Sequence, residues 1–469
     1  MNIGSEMQEI SSNNKRIAKN TLLLYFRMLV TMAVSLYTSR VVLNILGVED
    51  FGIYNVVGGI VAMFGFINGS MTSATQRYLT FELGQNNRAQ LTKVFSTSLS
   101  IHGIISFLII VLAETVGLWF LWNKMQIPAD RMNAAFWVFQ CSVAASVIMI
   151  MSVPYNAAII AHERMSAFAY ISIIEVSLKL LIVCFLRYFH TDKLILYAAL
   201  IVIVQFLIRL CYSWYCNRHF NETKYRWSWD KGLFKEMTGF ASWNMFGSLA
   251  AITFTQGLNL LLNMFFGPVV NAARGIAVQA QTAIGQFSSN FQTALNPQIT
   301  KSYATGDMEY MHGLIFRSAK FSFFLLLLLS LPVLIETKAI LTLWLKIVPD
   351  HTVVFLRIML CTTWVYAVSN PLITAASATG KIKLYQSVVG GLLLLILPIS
   401  YLCLRFGLPA YSVFIVHFVM EITAQFARLL MLRRMIRLSL REYFAKVIWS
   451  ISKVTAIALA APLAVAYWQ

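Results

Sequence analysis

Five arginines set in otherwise apolar stretches, Arg27, Arg77, Arg209, Arg274 and Arg357, are the residues of this chain best suited to hold a ligand. A guanidinium is costly in lipid, so it normally faces a protein interior or a water-filled cavity. Its planar fork matches the oxygens of a phosphate. Arg27 and Arg274 sit several residues inside their stretches, with no carboxylate within one helical turn. Arg77 lies at the inner end of its stretch, where it reads as a cavity mouth or an ordinary interfacial cation. Arg209 and Arg357 are lone cavity candidates, whereas Arg40 lies near an outer end and is placed to snorkel. Polar residues run with these arginines. Arg27, Thr31, Ser35 and Thr38 fall within roughly 80° of one another at helical spacing. Asn244, Ser248, Thr255, Asn259 and Asn263 make a second stripe, and Arg274, Gln281, Ser288, Gln292 and Asn296 a third. These stripes are expected to line a common cavity.

Two acid–base pairs stand apart from the stripes. Glu175 and Lys179 are spaced i,i+4, as are His417 and Glu421, with Gln425 and Arg428 on the face of the second pair. The first, Glu175 with Lys179, is a candidate ion-coupling pair whose plainer reading is a self-neutralised structural pair. The second is a candidate proton or ion-coupling site, because histidine changes charge near neutral pH. The plainer reading of the Asn, Gln, Ser and Thr residues is hydrogen-bonded glue between helices, and it accounts poorly for Arg27 and Arg274. No phosphate-cradling glycine loop, metalloprotease motif or nucleophile elbow is present, so no catalysis and no cofactor or metal are expected. Cys141, Cys184, Cys211, Cys216, Cys361 and Cys403 lack paired ligand spacing and read as small buried residues.

These side chains must be positioned by helices that cross a membrane. Of 469 residues 58% are hydrophobic and 12% charged, which leaves too little polar surface for a water-soluble globule. About thirteen segments reach the roughly 20 apolar residues that a spanning helix needs. Six lie near 20–46, 51–76, 94–121, 132–160, 166–188 and 194–216. Six more lie near 238–266, 268–295, 314–335, 352–377, 383–404 and 408–432, and a last one runs from about 446 to 467. The first, beginning near Thr21, reads as a retained span and not a signal peptide. Whether thirteen or fourteen spans complete the chain is left open by counting. The net charge of +18 is carried by short basic segments between apolar runs, which fits anionic headgroups and not nucleic acid. Cations crowd the N-terminal head and every second loop after it, so the N-terminus is expected in the cytoplasm.

Sliding the chain on itself by about 220 residues exposes a repeat. Glu114-Thr115 and Leu121-Trp122 then meet Glu336-Thr337 and Leu343-Trp344, Gly47 meets Gly267, and Pro154 answers Pro371. The expected layout is an N-terminal head (1–19), a six-helix lobe (20–217), a basic cytoplasmic linker (218–237), a second six-helix lobe (238–432), and a basic loop with an additional span (433–469). Each half holds an even number of spans, so both insert the same way up.

The turn Leu46-Gly47-Val48-Glu49-Asp50-Phe51-Gly52-Ile53-Tyr54 resembles the one after the first span of bacterial Wzx-type polysaccharide flippases. Those O-antigen and capsule transporters belong to the multidrug/oligosaccharidyl-lipid/polysaccharide exporter superfamily. Ala74-Thr75-Gln76-Arg77-Tyr78 and Glu82-Leu83-Gly84 resemble the family's second span and following loop. The resemblance implies an all-α, V-shaped exporter with two pseudo-symmetric lobes in the bacterial inner membrane. It implies flipping of an undecaprenyl-diphosphate-linked oligosaccharide to the outer leaflet by alternating access, for surface polysaccharide assembly. Expected partners are that lipid-linked substrate, membrane lipids, and polysaccharide polymerase and chain-length machinery. Relatives that flip the peptidoglycan precursor carry cavity arginines on spans one, two and eight, and Arg27, Arg77 and Arg274 occupy similar spans. The competing reading is a cation-coupled multidrug extruder, which would need unpaired cavity carboxylates. A polymerase or ligase would need a large external loop that the spans leave no room for.

Overall fold

A computed structural model describes residues 3–62, 65–123, 125, 127–189, 191–224, 230–345 and 348–468. Every regular element among them is a helix, as expected where lipid offers no partner for backbone groups. In chain order these are α1 (Ile3–Ala62), α2 (Gly65–Gly84), α3 (Arg88–Leu112), α4 (Leu118–Asn123), α5 (Met132–Ala161), α6 (Met165–Leu186), α7 (Lys193–His219) and α8 (Lys231–Phe266). They continue as α9 (Pro268–Thr305), α10 (Met308–Ile335), α11 (Thr337–Leu345), α12 (Thr352–Ala378), α13 (Lys383–Arg405), α14 (Ser412–Met435), α15 (Leu440–Tyr443) and α16 (Trp449–Trp468).

Eleven of the described helices are long and apolar enough to cross a membrane, two fewer than the sequence pattern predicts. The shortfall falls on spans two and eight. Span two runs from the end of α1 into α2, which carries Ser70, Thr72, Ser73, Thr75, Gln76 and Arg77. Span eight is α9, rich in Asn and Gln beside Arg274. A helix this polar is sheltered by neighbours more than by lipid, so length finds it and hydropathy does not. Beyond α14, the segment Leu440–Ala460 is one of the eleven, in keeping with an additional C-terminal span.

The chain divides into two compact units, Met1–Ala241 and Ser242–Gln469. In the first, α5 packs on α7 and α1 on α6. Its core gathers Leu121, Ala135, Val138, Phe139 and Leu194. In the second, α12 packs against α9, α10 and α14, around Leu262, Phe355, Leu356, Leu360 and Ile396.

The units repeat in their backbones as well as their sequence. Gly47 (φ 80, ψ 172) breaks α1, and Gly267 (φ 77, ψ −171) separates α8 from α9. That region of backbone space is essentially open only to glycine. Left-handed residues follow in register at Asn86 and Gly306, and again at Glu163 and Gly380. The first two pairs lie 220 residues apart (267 less 47, 306 less 86) and the third 217. Thr115 and Thr337 make the same bond, each hydroxyl donating to the carbonyl four residues back, at 2.6 Å. The pseudo-symmetry is therefore built from matched hinge and turn positions.

Candidate functional site

The second unit encloses a cavity of about 420 Å³ among α8, α9, α10, α12, α13 and α14. Helix α14 supplies its charged wall: His417, Glu421 and Arg428 all face it. Their spacing, with Gln425 between, puts them on one face of the helix. Glu421 does not pair with His417. Its Oε1 accepts from Nη1 of Arg428 at 2.7 Å, and both side chains are about 95% buried or more, at 5% and 3% exposure. The same nitrogen donates to the Ser369 hydroxyl at 3.1 Å, Ser369 donates to Oε1 of Gln425 at 2.6 Å, and Gln425 Nε2 donates to the Tyr443 hydroxyl at 3.2 Å. A buried polar chain thus runs from the cavity wall on α14 through α12 to α15. In a dry interior such a chain holds only if its members satisfy one another. His417 makes no hydrogen bond among the described residues and rests against the Phe254 ring, centroids 4.9 Å apart. The charges of Glu421 and Arg274 both act on it.

Arg274 is buried on α9 and reaches back to α8. Nη2 donates to the Thr255 carbonyl at 2.8 Å and Nη1 to Oδ1 of Asn259 at 3.3 Å, while Nε has no partner among the described residues. All its hydrogen-bond partners are neutral, so its charge stays uncompensated by any ion pair among those residues. Gln281, unlike Arg274, lines the cavity and bridges α9 to α12, donating to Thr363 Oγ1 at 2.8 Å and the Met359 carbonyl at 3.2 Å. Asn244 accepts from Gln386 at 3.0 Å. Gln292 is nearly fully buried, bonded to Ser318 and Ser322, and joins α9 to α10 away from this cavity.

In the first unit, the Arg27 guanidinium lies 4.5 Å from the centroid of the Phe168 ring, across the contact of α1 with α6. Thr31 donates to the Met28 carbonyl of its own helix, and Ser35 is exposed. Arg77 is boxed by Tyr78, Phe81 and Phe240 at 4.5–5.8 Å, and the Tyr78 hydroxyl donates to Glu236 at 3.1 Å. Arg209 donates to the Met151 carbonyl in α5, next to the ladder opened by Pro154, and lies over Tyr155. Arg357 is exposed and ties off the end of α10 through Thr337 Oγ1 at 3.0 Å and the Ile335 carbonyl at 3.2 Å. Glu175 and Lys179 pair at 2.6 Å, with Gln205 of α7 adding a bond at 3.1 Å. Of the sequence candidates, Gln281, His417 and Glu421 line one cavity, Arg274 and Asn259 bond to each other between α9 and α8 of the same unit, and Arg209, Arg357 and Gln292 take helix-packing contacts. The Arg40 side chain lies outside the described residues.

Sequence reasoning missed Ser369 and Tyr443, which complete the polar chain. It also missed a clamp in the first unit, where Arg131 holds Asp50 through Nε at 2.8 Å and Nη2 at 2.5 Å, and Asp192 through Nη1 at 2.8 Å. Burial pushes the Asp192 carboxyl up, but the Ile195 amide and Arg131 outweigh it and hold the group below its ordinary range. These partners lie 61 to 81 residues apart, beyond any local pattern.

The fold is shared with a multidrug resistance MATE family transporter of the MOP superfamily in its outward-facing conformation: TM-score 0.78, 12% identity, 91% of this chain and 96% of that one. It is shared with the Vibrio cholerae MATE transporter VcmN in the bent form, at TM-score 0.77 and 16% identity over 93% and 99% of the chains. A MOP superfamily transporter from Pyrococcus furiosus, described by a binding pocket of reversed polarity, matches at TM-score 0.77 and 13% identity over 91% and 96%. At these identities the likeness shows the fold alone. No curated protein sequence matches the chain. The polysaccharide biosynthesis protein family model matches residues 17–303, more than half of the chain. A multi-pass helical protein with this fold and this family match is a transporter of the MOP superfamily, and it belongs to the polysaccharide biosynthesis protein family.

Proposed function

We propose that this transporter flips a polyprenyl-diphosphate-linked oligosaccharide from the cytoplasmic to the outer leaflet of a bacterial inner membrane, for surface polysaccharide assembly. The observation that carries the reading is the charge of the cavity in the second unit. Glu421, the one carboxylate among the described residues lining it, is bound to Arg428, while Arg274, on α9 outside that lining, has only neutral partners. A unit whose cavity carboxylate is neutralised and which holds a further guanidinium without an anion suits a diphosphate and repels a lipophilic cation. The family match supports a glycan cargo. In this reading Arg274 of the second unit holds the diphosphate while Gln281 and Asn259 orient the sugar-bearing head, and Arg27 and Arg77 are the phosphate-binding candidates of the first unit. The lipid tail stays in the membrane while the head is exposed alternately on each side. The N-terminus lies in the cytoplasm, and polymerase and chain-length proteins take the product.

Glu421 on the wall is also the observation in favour of the second reading, a cation-coupled multidrug extruder, since a carboxylate that exchanges Arg428 for a proton can drive antiport. The two readings part in cells. Arg274→Ala and Arg27→Ala should abolish surface glycan while the protein still inserts at the native level. Unchanged glycan in both variants, with increased sensitivity to cationic drugs, would replace the first reading by the second.

A further inference from the structure

The turn that follows α14 is built in a way the transport cavity does not require. Arg437 sits there with φ 55, in the left-handed region. It occupies the C-terminal cap of α14, where the Ile436 and Leu438 amides both donate to the Leu432 carbonyl, at 3.0 and 3.4 Å. Glycine is the residue that such a cap favours, and a side chain there strains the backbone. The turn is nevertheless rigid. Ile436 and Leu438 on either side are buried, and His312 of α10 hydrogen-bonds the Ile436 carbonyl at 3.0 Å. An arginine held in a glycine's place by a rigid turn points to a use for its guanidinium.

Its surroundings say what that use is. Arg433, Arg434, Arg437 and Arg441 are all exposed and fall within nine residues, and none forms an ion pair among the described residues. Glu442, the one acid in the stretch, is already bound to Lys446 at 2.6 Å. Four unneutralised guanidiniums on a fixed turn leave a net positive surface that is fit for phosphate oxygens. Immediately after them, Phe444 and Trp449 are exposed, at 41% and 61%, on the way into an apolar helix. Exposed aromatics at the start of a spanning helix mark the level of the lipid headgroups. The cations therefore lie where phosphates of the bilayer lie.

We propose that the Arg433–Arg441 turn is a binding site for an acidic phospholipid headgroup, separate from the transport cavity and presented by Arg437 in its strained conformation. The site does not depend on what is transported. The test is made on the purified full chain in detergent, comparing the native protein with Arg437→Gly and with Arg433→Ala/Arg434→Ala. Thermal unfolding is followed with added phosphatidylglycerol, phosphatidylcholine or inorganic phosphate, and lipid retained through purification is measured by mass spectrometry. Native protein should retain phosphatidylglycerol and unfold at a higher temperature with it, and respond to neither phosphatidylcholine nor inorganic phosphate. Arg437→Gly relieves the strain, so it should unfold at a higher temperature than native without lipid, yet lose at least half of the phosphatidylglycerol response. Arg433→Ala/Arg434→Ala should lose that response with its lipid-free unfolding unchanged. Retention of phosphatidylglycerol by both variants at the native level would overturn the proposal, as would equal stabilisation by phosphatidylcholine or by inorganic phosphate alone.

Discussion

Breaking the Glu421–Arg428 pair is the perturbation whose size follows most directly from the structure. Both side chains are almost completely buried, and the contact is 2.7 Å. Glu421→Ala leaves Arg428 its bond to the Ser369 hydroxyl but strands a guanidinium in a low-dielectric interior. Removing one member of a buried pair is expected to destabilise by about 3–5 kcal/mol, most of it from the uncompensated charge. Removing both removes that charge. Glu421→Ala/Arg428→Ala should therefore be less destabilised than the two single changes added together, with a coupling on the order of 2 kcal/mol. Glu421→Gln keeps a carbonyl that can accept from Arg428 and should fall between native and Glu421→Ala. Reversible unfolding in mixed detergent micelles, for the native chain and all four variants, measures each value. Additive single changes, or a loss below about 1 kcal/mol for Glu421→Ala, would refute the view of these residues as one buried unit.

Tyr443→Phe keeps the buried ring and removes the acceptor for Gln425, so about 1 kcal/mol should be lost in the same unfolding assay. Gly47→Ala and Gly267→Ala meet no neighbouring atom but force a side chain into a backbone region nearly closed to it, and each should lose about 1–3 kcal/mol. The clamp on Arg131 gives a pH dependence. The folded Asp192 carboxyl is depressed, so its stabilisation is present above its unfolded pKa and is lost as pH falls through the lower folded value. Asp192→Asn should flatten the acid limb of a stability–pH curve, and an unchanged limb would count against the clamp.

The parts of the fold that were legible in the sequence are those written at helical or repeat spacing. The glycines at 47 and 267 mark matching breaks because one backbone geometry recurs twice, and the prolines at 154 and 371 take matching places inside α5 and α12. Spans two and eight are visible as helices yet escape a hydropathy criterion, since α9 carries Arg274, Asn290, Gln292 and Gln298 buried inside the unit and further amides on its exposed face. In the site, the α14 face from His417 to Arg428 could be read from one helix. Which partner Glu421 takes could not, because it has His417 and Arg428 on either side of it along that face and only packing decides between them. Arg209 and Arg357 look like cavity residues in sequence but find backbone carbonyls of neighbouring helices, near Pro154 of α5 and at a helix end. Spacing along one helix does not report what its neighbour leaves unsatisfied. Tyr443 lies beyond the repeat altogether and enters the polar chain only through the docking of α15.

The central claim is that a spare positive charge in the second unit recognises an anionic lipid head. It is tested most directly in proteoliposomes, by following the leaflet exposure of a fluorescent polyprenyl-diphosphate oligosaccharide with native protein and with Arg274→Ala. Native protein should equilibrate the lipid between leaflets, and Arg274→Ala should be slowed at least tenfold at equal reconstitution. Equal rates in both, or a native protein that moves a lipophilic cation and leaves the diphosphate lipid where it was loaded, would contradict it.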